Sequence, residues 1–306
     1  MTGARIARAL GASPGFGGVS RVLYAIGAQK AGTTWLHEEL RRHPQVHTAP
    51  VKEVHYWDTI HAPHLPYYRA EAERGLARLE ALPPHRRWRH RLGGGLRQAR
   101  LRRAMFEAPA GEHAGYEAFV TLGWSGQPVV ADVSPGYAMM GREGFTAMDR
   151  AAPDARFVLI LRDPVARLWS NLRHNRSRGF LKDSLEAAFD RALADPSWGP
   201  AQRSDYARTI RELEAAVPAS RIAYFFYETL FNPTEMRRLS DFLGIAPFRA
   251  RFDQRVNPGR DADRLDPEME RRGRGAFAPV YEFVADRFPG AVPEAWGAPA
   301  ALRATA

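Results

Sequence analysis

The stretch Val22–Leu36, read VLYAIGAQKAGTTWL, restricts the architecture more than any other part of the chain. Val22–Ile26 is a short apolar run ending at Gly27, the pattern of a strand buried in a parallel sheet. Gly32, Thr33 and Thr34 follow, and Trp35-Leu36 open an amphipathic stretch that reaches Arg42. Strand, glycine-bearing turn and helix in this order aim backbone N–H groups and a helix N-terminus at one point, where a phosphate can be held.

The spacing is close to the nucleotide P-loop, G-x-x-x-x-G-K-[ST], but departs from it at one position. Gly27 and Gly32 match the two glycines and Thr34 the hydroxyl residue, whereas Thr33 stands where the lysine belongs. The only lysine, Lys30, lies inside the loop. Two readings stay open on this stretch alone. One is a site for a shorter phosphate, with Lys30 near the bond that breaks; the other is a tight strand–helix turn with a solvated lysine.

Further strands are expected at Val46–Thr48, Val129–Val133, Arg156–Leu161 and Ile222–Phe226. Helical periodicity covers Thr146–Ala152, Ser184–Ala194, Ser204–Ala216, Pro233–Leu243 and Phe277–Phe288. After the strand ending at Leu161, Asp163 is placed as N-cap and Pro164 at the first helical position of a helix that runs at least to Asn171. Gly244 closes the Pro233–Leu243 helix. Strands alternating with helices predict an α/β fold: a P-loop-like parallel sheet flanked by helices on both faces. Residues 59–127 break this grammar with prolines, Gly93-Gly94-Gly95 and many arginines, and read as a helical insertion on the acceptor side within a single domain spanning 1–306.

The net charge of +10 is local. Eight arginines lie between His85 and Arg103 with no acidic residue among them, and without these eight the basic and acidic residues nearly balance, 36 against 34. Solvated helix faces are one reading of Arg86–Arg103; a basic wall for an anionic acceptor or a membrane surface is the other. A nucleic-acid partner is not expected, because no helix-turn-helix, zinc or RNP pattern accompanies the cluster. The absence of cysteine excludes disulfides and thiolate metal sites, and the ten histidines show no metal-binding spacing, so no metal is expected. With no membrane-length apolar run and no signal peptide in residues 1–20, a cytoplasmic protein is expected.

Ligands of open parallel sheets bind at the carboxyl ends of the strands. Lys30, Glu53, Asp132, Ser134, Arg162 and Ser170 all follow candidate strands or lie on helices that start there. Arg162 at a strand end and Ser170 two helical turns on could hold a second anionic group. Two phosphate positions beside an adenine-sized gap describe a 3′,5′-bisphosphorylated nucleotide better than ATP.

On these residues the chain resembles the bacterial members of the sulfotransferase family that use 3′-phosphoadenylyl sulfate (PAPS). Gln29-Lys30-Ala31-Gly32-Thr33-Thr34-Trp35-Leu36 resembles the family's 5′-phosphosulfate loop, and Leu161-Arg162-Asp163-Pro164 with Ser170 its 3′-phosphate motif. Lys52-Glu53-Val54-His55-Tyr56-Trp57-Asp58 is similar to the segment that carries the catalytic base in carbohydrate O-sulfotransferases. Arg203-Ser204-Asp205-Tyr206, Arg221–Leu230 and Asn257-Pro258-Gly259-Arg260 resemble later parts of the family, and the match spans roughly residues 21–58 and 129–290.

The resemblance implies that Gly32, Thr33 and Thr34, with Gln29 and Ala31 in the same loop, hold the 5′-phosphate. Arg162 and Ser170 hold the 3′-phosphate, Trp35 stacks on adenine, Tyr206 bonds its edge, and Gly259 and Arg260 close over the nucleotide. Glu53 takes the acceptor's proton, Lys30 neutralises charge on the bridging oxygen, and His55 orients Glu53 or touches the acceptor. The implied acceptor is a hydroxyl, of a carbohydrate first and of a lipid or small-molecule alcohol otherwise, and the product is PAP. Asp132-Val133 stands where some glycosaminoglycan enzymes have an acidic-lysine pair, which weakens the case for a heparan-like acceptor. A P-loop kinase-like phosphotransferase is the alternative enzyme, and a non-catalytic protein binding PAP or an anionic polymer is the alternative without turnover.

Overall fold

The computed structural model describes residues 15–61, 67–87, 94–107, 112–252 and 265–297. Five parallel strands form one sheet: β1 (Arg21–Gly27), β2 (Val46–Thr48), β3 (Val129–Val133), β4 (Arg156–Leu161) and β5 (Ile222–Phe226). Their order across the sheet is β2-β3-β1-β4-β5. Every residue of β3, and all but the first of β1 and β4, are buried, as expected of strands covered on both faces.

Helices flank the sheet, in chain order α1 (Thr33–Arg42), α2 (Trp57–His61), α3 (Tyr67–Glu80), α4 (Gly95–Ala104), α5 (Ala114–Val120) and α6 (Arg142–Ala151). There follow α7 (Pro164–Ser177), α8 (Leu185–Ala194), α9 (Tyr206–Ala216), α10 (Pro233–Leu243), α11 (Pro267–Ala276) and α12 (Ala278–Arg287). None of the described helices is long and apolar enough to cross a membrane.

Because the strands are parallel, the carboxyl ends of β1, β3 and β4 share one edge of the sheet. The order reverses there: the chain goes from β1 outward to β2 and β3 on one side, then to β4 and β5 on the other. This is the switch point at which open α/β sheets bind ligands. The segment after β2 keeps running beside β3, with Ala49 N–H donating to the Ala131 carbonyl and Glu53 N–H to that of Val133, both at 2.9 Å. Glu53 is thereby carried to the same edge.

Asp163 fixes the start of α7. Its Oδ1 accepts from Ala166 N–H at 2.8 Å, its Oδ2 accepts from the Tyr281 hydroxyl at 2.8 Å, and Arg274 lies 3.6 Å away. One carboxylate therefore caps α7 and ties α11 and α12 to it. Asp163→Ala is expected to cost about 2–4 kcal/mol, the sum of a lost cap and a buried tyrosine hydroxyl left without its acceptor, read as a lower urea midpoint at unchanged slope. Helix α11 is not foreseen by periodicity, though its start repeats the same signal: Asp266 caps it and Pro267 occupies the first position.

Candidate active site

The β1–α1 loop has the strained geometry that its glycines suggest. Lys30 (φ 73°) and Gly32 (φ 82°) both adopt left-handed backbone. A Cβ at Gly32 would lie 3.1 Å from Tyr227 and 3.2 Å from Phe231, so the position has no room for a side chain as well as an unfavourable φ. Helix α1 starts from Gly32 with no side-chain cap and no acidic residue in its first turn. Its N-terminal N–H groups, beside Thr33 and Thr34, thus face a point suited to an anion.

Arg162, at the end of β4, reaches across to this loop. Its Nη1 donates to the Lys30 carbonyl at 2.7 Å, its guanidinium lies 4.4 Å from the centre of the Tyr227 ring, and its Nε is buried without a partner. Lys30 and Arg162 are therefore brought to one side of the molecule. Burial lowers the Lys30 ammonium pKa, and the charges of Arg162 and Lys52 lower it further. Gln29 is bound to Asn171 of α7 at 2.8 Å, Ala31 is fully buried, and Ser170 is half-buried on the same helix.

Trp35 is buried, with Nε1 donating to the Arg251 carbonyl at 3.0 Å and its ring edge-on to Phe231 at 4.9 Å. Tyr206 stands deeper than its expected role at an adenine edge suggests. It is fully buried and its hydroxyl donates to the Arg162 carbonyl at 2.7 Å, so it braces the end of β4 from within the core instead of offering its hydroxyl to an adenine edge. The tyrosine that does flank the loop is Tyr227, in the single turn Tyr227–Leu230 after β5. Gly259 and Arg260 lie outside the described residues.

The second half of the site is Lys52–Asp58. Glu53 (φ 63°) and His55 (φ 56°) are both left-handed, which non-glycine residues adopt only when their surroundings impose it. The surroundings here are explicit. Val54 N–H donates to Ser134 Oγ at 2.8 Å, and Ser134 in turn donates to Asp132 at 2.6 Å. Asp132, fully buried, also accepts from the hydroxyls of Tyr137 (2.8 Å) and Tyr116 (2.9 Å). Burial raises its pKa against the opposing effect of these donors. Asp132 and Ser134, close to the candidate site in the sequence, thus anchor the backbone of that segment.

Three ionisable side chains line up on this backbone. Asp58 Oδ2 is 2.7 Å from His55 Nδ1, and His55 Nε2 is 3.4 Å from Glu53 Oε2. Lys52 Nζ is 2.5 Å from Glu53 Oε1. Burial alone would raise the Glu53 pKa, but the hydrogen bond to His55 and the Lys52 charge hold it at about 2. Burial would likewise discharge His55, yet Asp58 and Glu53 lift it to about 9. At neutral pH His55 is an imidazolium between Asp58 and the Glu53 carboxylate, and of the three only the part-exposed Glu53 is open to an incoming group. Gly136 backs the row so closely that a Cβ there would lie 2.5 Å from Asp58 Oδ2 and 2.9 Å from His55 Cε1.

Other elements contribute residues beyond those expected to form the site. Arg203, whose Nε is buried without a partner, acts electrostatically on the neighbourhood of Tyr68, Asp58 and Glu53. His174, one turn beyond Ser170 on α7, feels the charges of Lys30, Glu53 and Lys52. Three of the eight arginines of the Arg86–Arg103 cluster pair with carboxylates within the insertion. Arg100 pairs with Glu80 (3.2 Å), Arg102 with Glu71 (3.2 Å) and Arg103 with Glu107 (2.6 Å), while Arg87 donates to the Glu80 carbonyl. These pairs favour solvated helix faces over an uncompensated basic wall; Arg89 and Arg91 lie outside the described residues. Among the described residues no group of three or more histidines and acidic residues is disposed to hold a metal ion.

Comparison with known proteins agrees with this fold. A family model described as "Sulfotransferase family" matches residues 23–249. The solved structure of a sulfotransferase from Alicyclobacillus acidocaldarius superposes with a TM-score of 0.61 at 19% identity, covering 90% of this chain and 97% of that one. The sulfotransferase domain of the Synechococcus PCC 7002 olefin synthase gives a TM-score of 0.51 at 19% identity, covering 90% and 96%. At such identity the likeness is one of fold. No curated protein sequence matches the chain.

Proposed function

The chain belongs to the sulfotransferase family, and from that premise we propose that it transfers the sulfuryl group of PAPS to an acceptor hydroxyl. The observation that carries the donor assignment is the contact of Arg162 with the Lys30 carbonyl at 2.7 Å, which joins two cationic anion-binding elements at one sheet edge. The residues fit a doubly phosphorylated nucleotide. The uncapped start of α1 and the hydroxyls of Thr33 and Thr34 suit a 5′-phosphate, and the unpartnered Nε of Arg162, with Ser170, suits a 3′-phosphate. Trp35 and Tyr227 supply aromatic surface for the base.

In the reaction an acceptor oxygen uses a lone pair to form a bond to sulfur. The bond from sulfur to the 5′-phosphate oxygen breaks, and its electron pair stays on that oxygen, so PAP departs. Glu53 is the open carboxylate at the site and receives the hydroxyl proton. Its low pKa makes it a weak base while Lys52 is its closest partner. Withdrawal of the Lys52 ammonium toward the donor's negative charge would raise its basicity when the donor is bound. Lys30 offsets the charge that builds on the departing oxygen. The acceptor is a carbohydrate hydroxyl by the likeness of Lys52–Asp58, with lipid or small-molecule alcohols next.

The test is incubation with labelled PAPS in EDTA against a panel of glycans, lipids and alcohols, with products identified by mass. A sulfated product is expected; no transfer together with no calorimetric heat from PAP overturns the reading. Arg162→Ala should raise the donor KM about 10–100-fold through loss of a charge-assisted contact. An adenylyl sulfate without the 3′-phosphate should be affected much less, and equal losses for both donors would remove Arg162 from the 3′ position.

A further inference from the structure

Tyr68 is the second residue of α3, the first long helix of the 59–127 insertion. Its ring lies flat on the His55 imidazole, the centroids 3.5 Å apart and the planes 8° from parallel. Hydrogen bonds to Asp58 and Glu53 hold the two ring nitrogens of His55. Neither stops the imidazole from rocking about the line through those nitrogens, whereas a flat partner on its face does. Tyr67 packs edge-on against Tyr68 at 5.4 Å and steadies it in turn. The contacts shown for Tyr68 are made by its ring.

We propose that Tyr68 is a positioning residue for His55: the insertion lends the site one aromatic ring that sets the plane of the imidazole and, through it, the orientation of Glu53. The catalytic meaning of this rests on the reading of Glu53 as the proton acceptor; the ring contact itself does not. An electron-rich face against an imidazolium is favourable, and it works with Asp58 and Glu53 against the burial that opposes the charge. The other groups facing this row are Lys52 on its own segment, Arg203 beside Tyr68, and Asp132 and Tyr137 behind Asp58. On the Glu53 side they are Lys30 and His174.

The experiment compares the full chain with Tyr68→Phe and Tyr68→Leu. Histidine-labelled NMR of the nucleotide-free protein should find the His55 midpoint near 9 in the wild type. It should stay there in Tyr68→Phe and move down by about one pH unit in Tyr68→Leu. Release of PAP from PAPS with water as acceptor should fall about tenfold in Tyr68→Leu at an unchanged donor KM, and recover in Tyr68→Phe. If circular dichroism finds Tyr68→Leu unfolded, Tyr68→Gln takes its place with the same expectations. An unmoved midpoint in the non-aromatic variant, or a Phe variant as impaired as it, overturns the proposal. Absence of PAP binding by the wild type would instead remove the donor assignment, and the NMR midpoints alone would then decide the role of Tyr68.

Discussion

Replacing Lys30 by alanine is expected to slow sulfuryl transfer about 10²–10³-fold, in line with loss of one preorganised group opposite a developing charge. Lys30 is partly desolvated beside Arg162 and Lys52, where an ammonium acts on a nearby oxygen more strongly than it would in water. The charge on the bridging oxygen grows only as the bond to sulfur breaks, so the loss should fall on the chemical step. Single-turnover release of PAP measures that step, and calorimetry with PAP measures the ground state. Equal losses in the two would reduce Lys30 to a grip on phosphate. Alanine is the right replacement because it also carries a Cβ. At φ 73° glycine would relieve backbone strain and confound the comparison.

Glu53→Gln should lower transfer about 10²–10⁴-fold while PAP still binds, because the amide keeps the shape and cannot take the proton. A variant that transfers at the wild-type rate would end the assignment of Glu53. The same substitution has a signature in stability. His55 has a folded pKa of about 9, above its ordinary value, so its contribution is complete below about 6.5 and is lost as pH rises through about 9. Glu53, held at about 2, contributes above its ordinary range and loses that contribution as pH falls toward 2. Removing the Glu53 charge takes one of the two anions from His55. Urea midpoints of the variant should therefore decline less between about pH 6.5 and 9 than those of the wild type.

What could be read from the chain was whatever local chemistry dictates. The apolar runs that became β3, β4 and β5 end where expected, because buried parallel strands need unbroken apolar sequence. The Asp163-Pro164 start of α7 follows from the capping preference alone. Gly32 was legible because a tight loop at a helix start needs its φ. Tyr206 and Tyr227 show where this ends: both lie within stretches that resemble the family, and only the packing of the turn after β5 against Gly32 tells them apart. Tyr68 comes to the site from a helix with nothing nearby in sequence to mark it, whereas Arg203 lies in the Arg203–Tyr206 stretch that resembles the family and His174 one turn beyond Ser170, and only the fold brings these two toward Glu53. Three arginines of the Arg86–Arg103 cluster likewise meet their partners only in the fold. Those partners, Glu71, Glu80 and Glu107, lie just outside the stretch in which the arginines are concentrated.

The grip of Arg162 on the backbone of Lys30 has one more consequence. If Arg162 receives the 3′-phosphate as proposed, the guanidinium that meets one end of the ligand also holds the frame around the other, and the site would read the whole molecule at once. Clipping either end of the nucleotide should then blunt discrimination at the other, so that affinities of the fragments multiply to less than the affinity of the intact donor.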